Sequence, residues 1–110
     1  MITWDEFENV ELRVGTVIDV EEFPEARNPA YKLKIDFGET MGIRKSSAQI
    51  TTLYSKQDLI GRQVLAVTNF PPKQIGPFMS ECLVTGVKTE KGGVVLVGPD
   101  SRVADGLRLV

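Results

Sequence analysis

The chain has 110 residues, a formal net charge of −2, a single cysteine and no histidine. One cysteine excludes an internal disulfide and every multi-cysteine zinc site. The lack of histidine removes Ser-His-Asp and Cys-His catalysis together with the commonest transition-metal ligand, so neither a catalytic residue nor a metal or other cofactor is expected. No apolar run approaches the ~20 residues of a membrane span, and the start Met1-Ile2-Thr3-Trp4-Asp5-Glu6 lacks the parts of a signal peptide. One domain over residues 1–110, without membrane insertion and located in the cytoplasm, is the expectation.

Thr3-Trp4-Asp5-Glu6-Phe7 predicts a short helix, with Thr3 as N-cap, Glu6 closing a capping box, and Ile2 and Phe7 placed as a hydrophobic staple. So short a helix has to dock Trp4 and Phe7 against the body of the fold or a second subunit. The alternation of Val10, Leu12, Val14, Thr16, Ile18 and Val20 with Glu11, Arg13, Gly15, Val17, Asp19 and Glu21 predicts a long strand, the first set buried and the second wet. With Gly15 inside it, this strand should bend to serve both sides of a small barrel.

After a Pro-rich loop over residues 23–30, Tyr31, Leu33, Ile35 and Phe37 alternate with Lys32, Lys34 and Asp36 in a second strand. Residues 43–49 make a third, in which Arg44 and Lys45 point to opposite faces. Lys45 and Ser46 are thereby separated too, which argues against a Ser-Lys pair. Residues 50–60 suit a short helical insertion ending at Gly61, and Val64-Leu65-Ala66-Val67-Thr68 a fourth, buried strand.

The segment from Asn69 to Ser80 holds three prolines and a glycine, which exclude a helix or a central strand, yet it keeps Phe70, Ile75, Phe78 and Met79. Large apolar groups on a stiff surface loop suggest a binding surface. Two more strands, 81–87 and 94–97, flank a turn at Gly92-Gly93, and an apolar tail ends the sequence. Short antiparallel strands with one helical insertion between the third and fourth predict an all-β, Greek-key OB-fold barrel.

Charge is uneven along the chain. Residues 1–25 carry eight acids against Arg13, whereas residues 26–75 carry eight bases against Asp36, Glu39 and Asp58. A groove bearing Lys32, Lys34, Arg44, Lys45 and Lys73 could follow a phosphate backbone, with Asn69 and Ser80 supplying hydrogen bonds and Phe70 and Phe78 stacking on bases. Equally, Phe70, Ile75, Phe78 and Met79 could line an apolar groove for unfolded peptides.

Three segments, Glu11-Leu12-Arg13-Val14-Gly15, Leu33-Lys34-Ile35-Asp36-Phe37-Gly38 and Val67-Thr68-Asn69-Phe70-Pro71-Pro72-Lys73, together with Ser80-Glu81, resemble in order the tRNA-binding domain family. Within it, Pro24-Glu25-Ala26-Arg27-Asn28-Pro29-Ala30-Tyr31-Lys32-Leu33, Lys45-Ser46-Ser47-Ala48-Gln49-Ile50-Thr51 and Asn69-Phe70-Pro71-Pro72-Lys73-Gln74-Ile75-Gly76 resemble the CsaA branch. The resemblance implies an OB-fold homodimer joined through residues 1–9 and 98–110, with Trp4, Phe7, Leu107, Leu109 and Val110 at the interface. It implies a secretion chaperone that binds unfolded precursor proteins and the export motor SecA. A tRNA-binding capacity comes with the wider family, at Lys32, Lys45, Asn69, Lys73 and Ser80. Family members that bind tRNA usually carry several basic residues after the loop asparagine, where this chain has Pro71, Gln74, Gly76 and Pro77, so weak tRNA binding and a polypeptide partner are expected.

Overall fold

A computed structural model describes all residues, 1–110. Helix α1 covers Trp4–Glu8, and strand β1 covers Leu12–Glu22. Strands β2 (Tyr31–Asp36) and β3 (Ile43–Ala48) are followed by helix α2 (Lys56–Leu59) and strand β4 (Gln63–Val67). Five short strands complete the fold: β5 (Lys73–Ile75), β6 (Phe78–Ser80), β7 (Leu83–Val84), β8 (Gly86–Lys88) and β9 (Val94–Leu96). An antiparallel sheet of order β3-β2-β1-β4-β7 curls into a nearly closed OB-type barrel, with β5-β6 and β8-β9 as separate hairpins. No helix is long and apolar enough to cross a membrane.

Both helices begin as the sequence dictates. The Thr3 hydroxyl accepts from the Glu6 N–H at 3.2 Å and the Glu6 carboxylate accepts from the Thr3 N–H at 3.0 Å; Ser55 and Asp58 repeat the exchange at α2. Ile2 remains 70% exposed, so the staple expected with Phe7 buries little.

β1 departs from simple alternation. It pairs with β2 through Val17↔Ile35 and then Asp19↔Lys34, which leaves Ile18 as the extra residue of a β-bulge. A bulge reverses the faces, so Val17 and Val20 both enter the core and Ile18 is 43% exposed, against the expected burial of Ile18 and wetting of Val17. Gly15 shares the inward face, because a Cβ there would stand 2.6 Å from Ile35 Cγ2 and 2.8 Å from Phe37. Val14 and Thr16 are also buried, but outside the core cluster, with Thr16 donating to Asp105 of the tail at 2.7 Å.

The first half of β1 pairs with β4 on one side. On its other side lies the tail, where Val14 N–H donates to Leu107 O at 2.9 Å and Leu109 N–H to Leu12 O at 2.8 Å. Gly106 allows this approach, since a side chain there would strike the Phe37 carbonyl at 2.5 Å. The core itself is built from Val17, Leu33, Ile35, Phe37, Leu59 and Val64, all 1% exposed or less.

Candidate functional site

The segment 69–80 is more ordered than a loop. Lys73↔Ser80, Gln74↔Met79 and Ile75↔Phe78 pair as a hairpin around Gly76-Pro77, with Gly76 at φ +56°. A two-residue turn opened by glycine suits the twist of such strands, and the prolines fall outside the paired residues. Strand alternation then places Lys73, Ile75, Phe78 and Ser80 on one face of the hairpin and Gln74 and Met79 on the other. Phe78 and Met79 therefore do not line one surface, contrary to the expectation.

Phe78 holds the hairpin down. Its ring meets Phe23, which is buried, at a centroid distance of 5.4 Å and an interplanar angle of 61°. Lys45 Nζ lies 5.4 Å from the Phe78 centroid, and Lys32 Nζ lies 5.5 Å from that of Phe23. This edge-to-face pair capped by two ammonium groups leaves Phe78 poorly placed to stack on a base. Phe70 is the free ring of the segment, 55% exposed.

β2 and β3 pair Lys34↔Lys45 and Lys32↔Ser47, so Lys32, Lys34 and Lys45 share the outer face. Acids from β1 stand beside them, Asp19 opposite Lys34 and Glu21 opposite Lys32, with a Lys32–Glu21 separation of 3.8 Å. Arg44 is on the opposite face, where its guanidinium donates to the Thr68 carbonyl at 2.8 Å. The structure thus separates Arg44 from the lysines with which the sequence groups it.

Asn69 and Ser80 spend their polar atoms inside the fold. Asn69 donates to the Asn9 carbonyl at 2.7 Å and accepts from the Glu11 N–H at 3.0 Å, fastening the end of α1 to the start of the hairpin segment. Ser80 Oγ accepts from the Ser47 N–H at 3.1 Å and donates to the Cys82 carbonyl at 3.4 Å. Both are tethers of the site in this conformation, not free donors at its surface.

Beside the hairpin lies a groove of about 1150 Å³ whose lining is about half hydrophobic. Phe70, Lys73, Ile75 and Ser80 face it; Phe78, Met79, Asn69, Lys32, Arg44 and Lys45 do not. The groove adds Arg27, Gln49, Cys82 and Val84, which sequence reasoning left out of the site. Arg27 and Gln49 stand in the CsaA-like segments, so a signal was present. Burial pushes the Cys82 thiol up to about 11 and outweighs the hydrogen bond with Ser46, leaving a neutral, inert thiol. No group of three or more Cys, Asp or Glu side chains converges as a metal site.

Trp4 is 84% exposed, and Leu107, Leu109 and Val110 are exposed as well; the tail reaches the end of α1 through the Arg108 guanidinium, which donates to the Glu8 carbonyl. Phe7 is half-buried. The tail bearing Leu107 and Leu109 is held along the edge of β1.

The tRNA binding domain model matches residues 12–108. Among solved structures, the chaperone CsaA from Bacillus anthracis is 48% identical with a TM-score of 0.94, covering 100% of this chain and 99% of that one. The CsaA chaperone protein from Picrophilus torridus gives the same identity and TM-score and covers both chains completely. A methionine–tRNA ligase from Bdellovibrio bacteriovorus is 34% identical over 98% of this chain. The chain spans only 14–15% of the length of the methionine–tRNA ligases it matches.

Proposed function

The chain belongs to the tRNA binding domain family, and from that premise we propose that it acts as a CsaA-type chaperone that holds non-native polypeptide in the groove beside the β5-β6 hairpin. The observation that carries this reading is the groove itself, a cavity of about 1150 Å³ with an aliphatic floor that includes Ala48, Ile50, Val84 and Val94. Such a surface matches extended apolar segments and offers little to a nucleotide base, because Phe70 is its only aromatic residue. Full-length similarity to two CsaA chaperones supports the same reading. Within it, the working unit is a homodimer joined through Trp4, Phe7, Leu107, Leu109 and Val110, and secretory precursors and the SecA motor are the partners that CsaA character implies.

A second reading, tRNA binding, is favoured by one observation: Lys34 and Lys45 stand directly opposite on β3-β2, an arrangement that an anion would relieve. Lys32 and Lys73 extend the basic set, while Asp19 and Glu21 weaken its field, so this binding is weak and falls as salt rises.

Both readings are tested on one sample by measuring suppression of aggregation of a denatured protein and binding of bulk tRNA across salt concentrations. Val84→Asp, which puts a charge in the groove floor, should abolish aggregation suppression and leave tRNA binding intact. Loss of tRNA binding alone, with suppression unchanged, would overturn the first reading. Sedimentation should give a dimer, and a stable monomer would remove that element.

A further inference from the structure

The lysine face and the groove are separate surfaces that meet at Ser47. Lys32, Lys34 and Lys45 stand on the outer face of β2-β3 and do not line the groove. Ser47 shares that outer face, opposite Lys32 and two residues along β3 from Lys45, and it does line the groove. Two residues of strand span about 7 Å, so the groove begins within a side chain's reach of the lysines. The junction continues into the hairpin, where Ser80 Oγ accepts from the Ser47 N–H at 3.1 Å and Ser80 pairs with Lys73, an exposed lysine that lines the groove.

The strands beneath this junction are joined. Glu81 N–H donates to Lys45 O at 2.8 Å, and the Glu81 carboxylate accepts from the Lys45 N–H at 2.9 Å. A polypeptide in the groove therefore lies over the joined strands, not between them.

The two surfaces suit different ligands. The lysine face presents ammonium groups without a free stacking ring, because Phe78 and Phe23 are engaged with each other, so it meets phosphates and not unstacked bases. A folded RNA surface supplies phosphates of that kind. Asp19, Glu21 and Glu81 stand among the lysines, and Lys32 lies 3.8 Å from Glu21, so the RNA contact is weak by itself. The groove, with Ala48, Ile50, Val84 and Val94 in its lining, takes apolar polypeptide.

Resting on the polypeptide-binding reading above, we infer that the two surfaces act together on a nascent chain at the ribosome, the lysines on RNA phosphates and the groove on the unfolded chain emerging beside them. Folded RNA and unfolded polypeptide lie side by side on that particle. Two weak contacts on one particle make the second binding event intramolecular, so the whole binds more tightly than either part. Once the chain is finished and released, only the weak RNA contact remains.

The test measures binding of the fluorescently labelled full chain to empty ribosomes, to ribosomes stalled with an unfolded apolar nascent chain, and to ribosomes stalled with a Gly/Ser nascent chain. The apolar complex should bind about tenfold tighter than either of the others, and its binding should weaken as salt rises. Phe70→Asp, at an exposed ring of the groove, should erase the difference between the particles. The double variant Lys34→Ala, Lys45→Ala should lower affinity for the apolar complex to that for the same polypeptide free in solution. Equal binding of the particles, or binding of the apolar complex no tighter than of its free polypeptide, overturns this inference, and continued capture of denatured protein then leaves the chaperone reading standing. A tenfold difference that survives Phe70→Asp, or an affinity unchanged in the double lysine variant, puts the contacts elsewhere and overturns it too. Equal binding of the particles together with failure to capture denatured protein overturns both.

Discussion

Phe78 meets the buried ring of Phe23 edge to face at 5.4 Å, and this contact anchors the β5-β6 hairpin over the outer face of the barrel. It makes Phe78 a support of the groove wall and not part of its lining.

Phe78→Ala should therefore act first on stability. Losing a half-buried ring and its aromatic partner is expected to cost about 2 kcal/mol, read as a lower denaturation midpoint at unchanged slope. Hydrogen exchange should quicken across residues 73–80 before it does in β1–β4. Equal protection of the hairpin in the variant and the parent would show that the pair is not an anchor.

Asn69 and Lys45 should separate by the kind of loss they produce. Asn69→Ala removes bonds to Asn9 and Glu11, so a loss of about 1–2 kcal/mol in stability is expected, with fraying of α1. Lys45→Ala should leave stability nearly intact and lower the slope of tRNA affinity against salt by about one. An unchanged salt slope for Lys45→Ala would take this lysine out of the RNA surface.

Gly15→Ala places a methyl group 2.6 Å from Ile35 Cγ2, on the crowded inward face of β1. Overpacking of this kind should cost about 1–3 kcal/mol. A variant as stable as the parent would mean that the core yields at this point.

Glu11 carries a sharper pH signature than its surface position suggests. A hydrogen bond from Arg13 at 2.5 Å, with smaller help from the Arg13 charge, Thr68 and Arg108, holds its carboxyl below the ordinary value of 4.5. Because the folded value is depressed, the stabilisation is fully present above the unfolded value, near 4.5, and is lost as pH falls through the folded one. Glu11→Gln should flatten the acid limb of a stability–pH curve and leave the neutral region parallel to the parent. Identical acid limbs would show that the pair holds equally well when protonated.

Cys82 works in the opposite direction. Its thiol is raised from 9.0 to about 11 by burial, so above pH 9 the unfolded chain ionises first and stability falls as pH rises. Iodoacetamide at pH 8 should label the native protein far more slowly than the unfolded chain, and rapid native labelling would contradict this burial.

The α1 cap and the second strand were legible because local signals and tertiary structure agree: Thr3 and Glu6 close the capping box that their spacing predicts, and Tyr31, Leu33, Ile35 and Phe37 all turn inward. β1 misled because the bulge at Ile18 inserts one residue into an otherwise regular alternation, and nothing in Val17-Ile18-Asp19 marks it. The hairpin was obscured by its prolines, although Gly76-Pro77 between two three-residue runs is itself a hairpin spacing. The opposite faces of Arg44 and Lys45 were readable from alternation; the tethering by Asn69 was not, since its partners lie about 60 residues earlier. The groove escaped because its lining comes from segments far apart in sequence.

Residues 106–109 are the partners of one edge of β1, more than 90 positions away along the chain. During synthesis, β1 leaves the ribosome early and waits with that edge bare until the tail follows. Such distant pairing is slow to form, so the nascent protein passes through an interval in which it is itself a client for the kind of protection it is proposed to give.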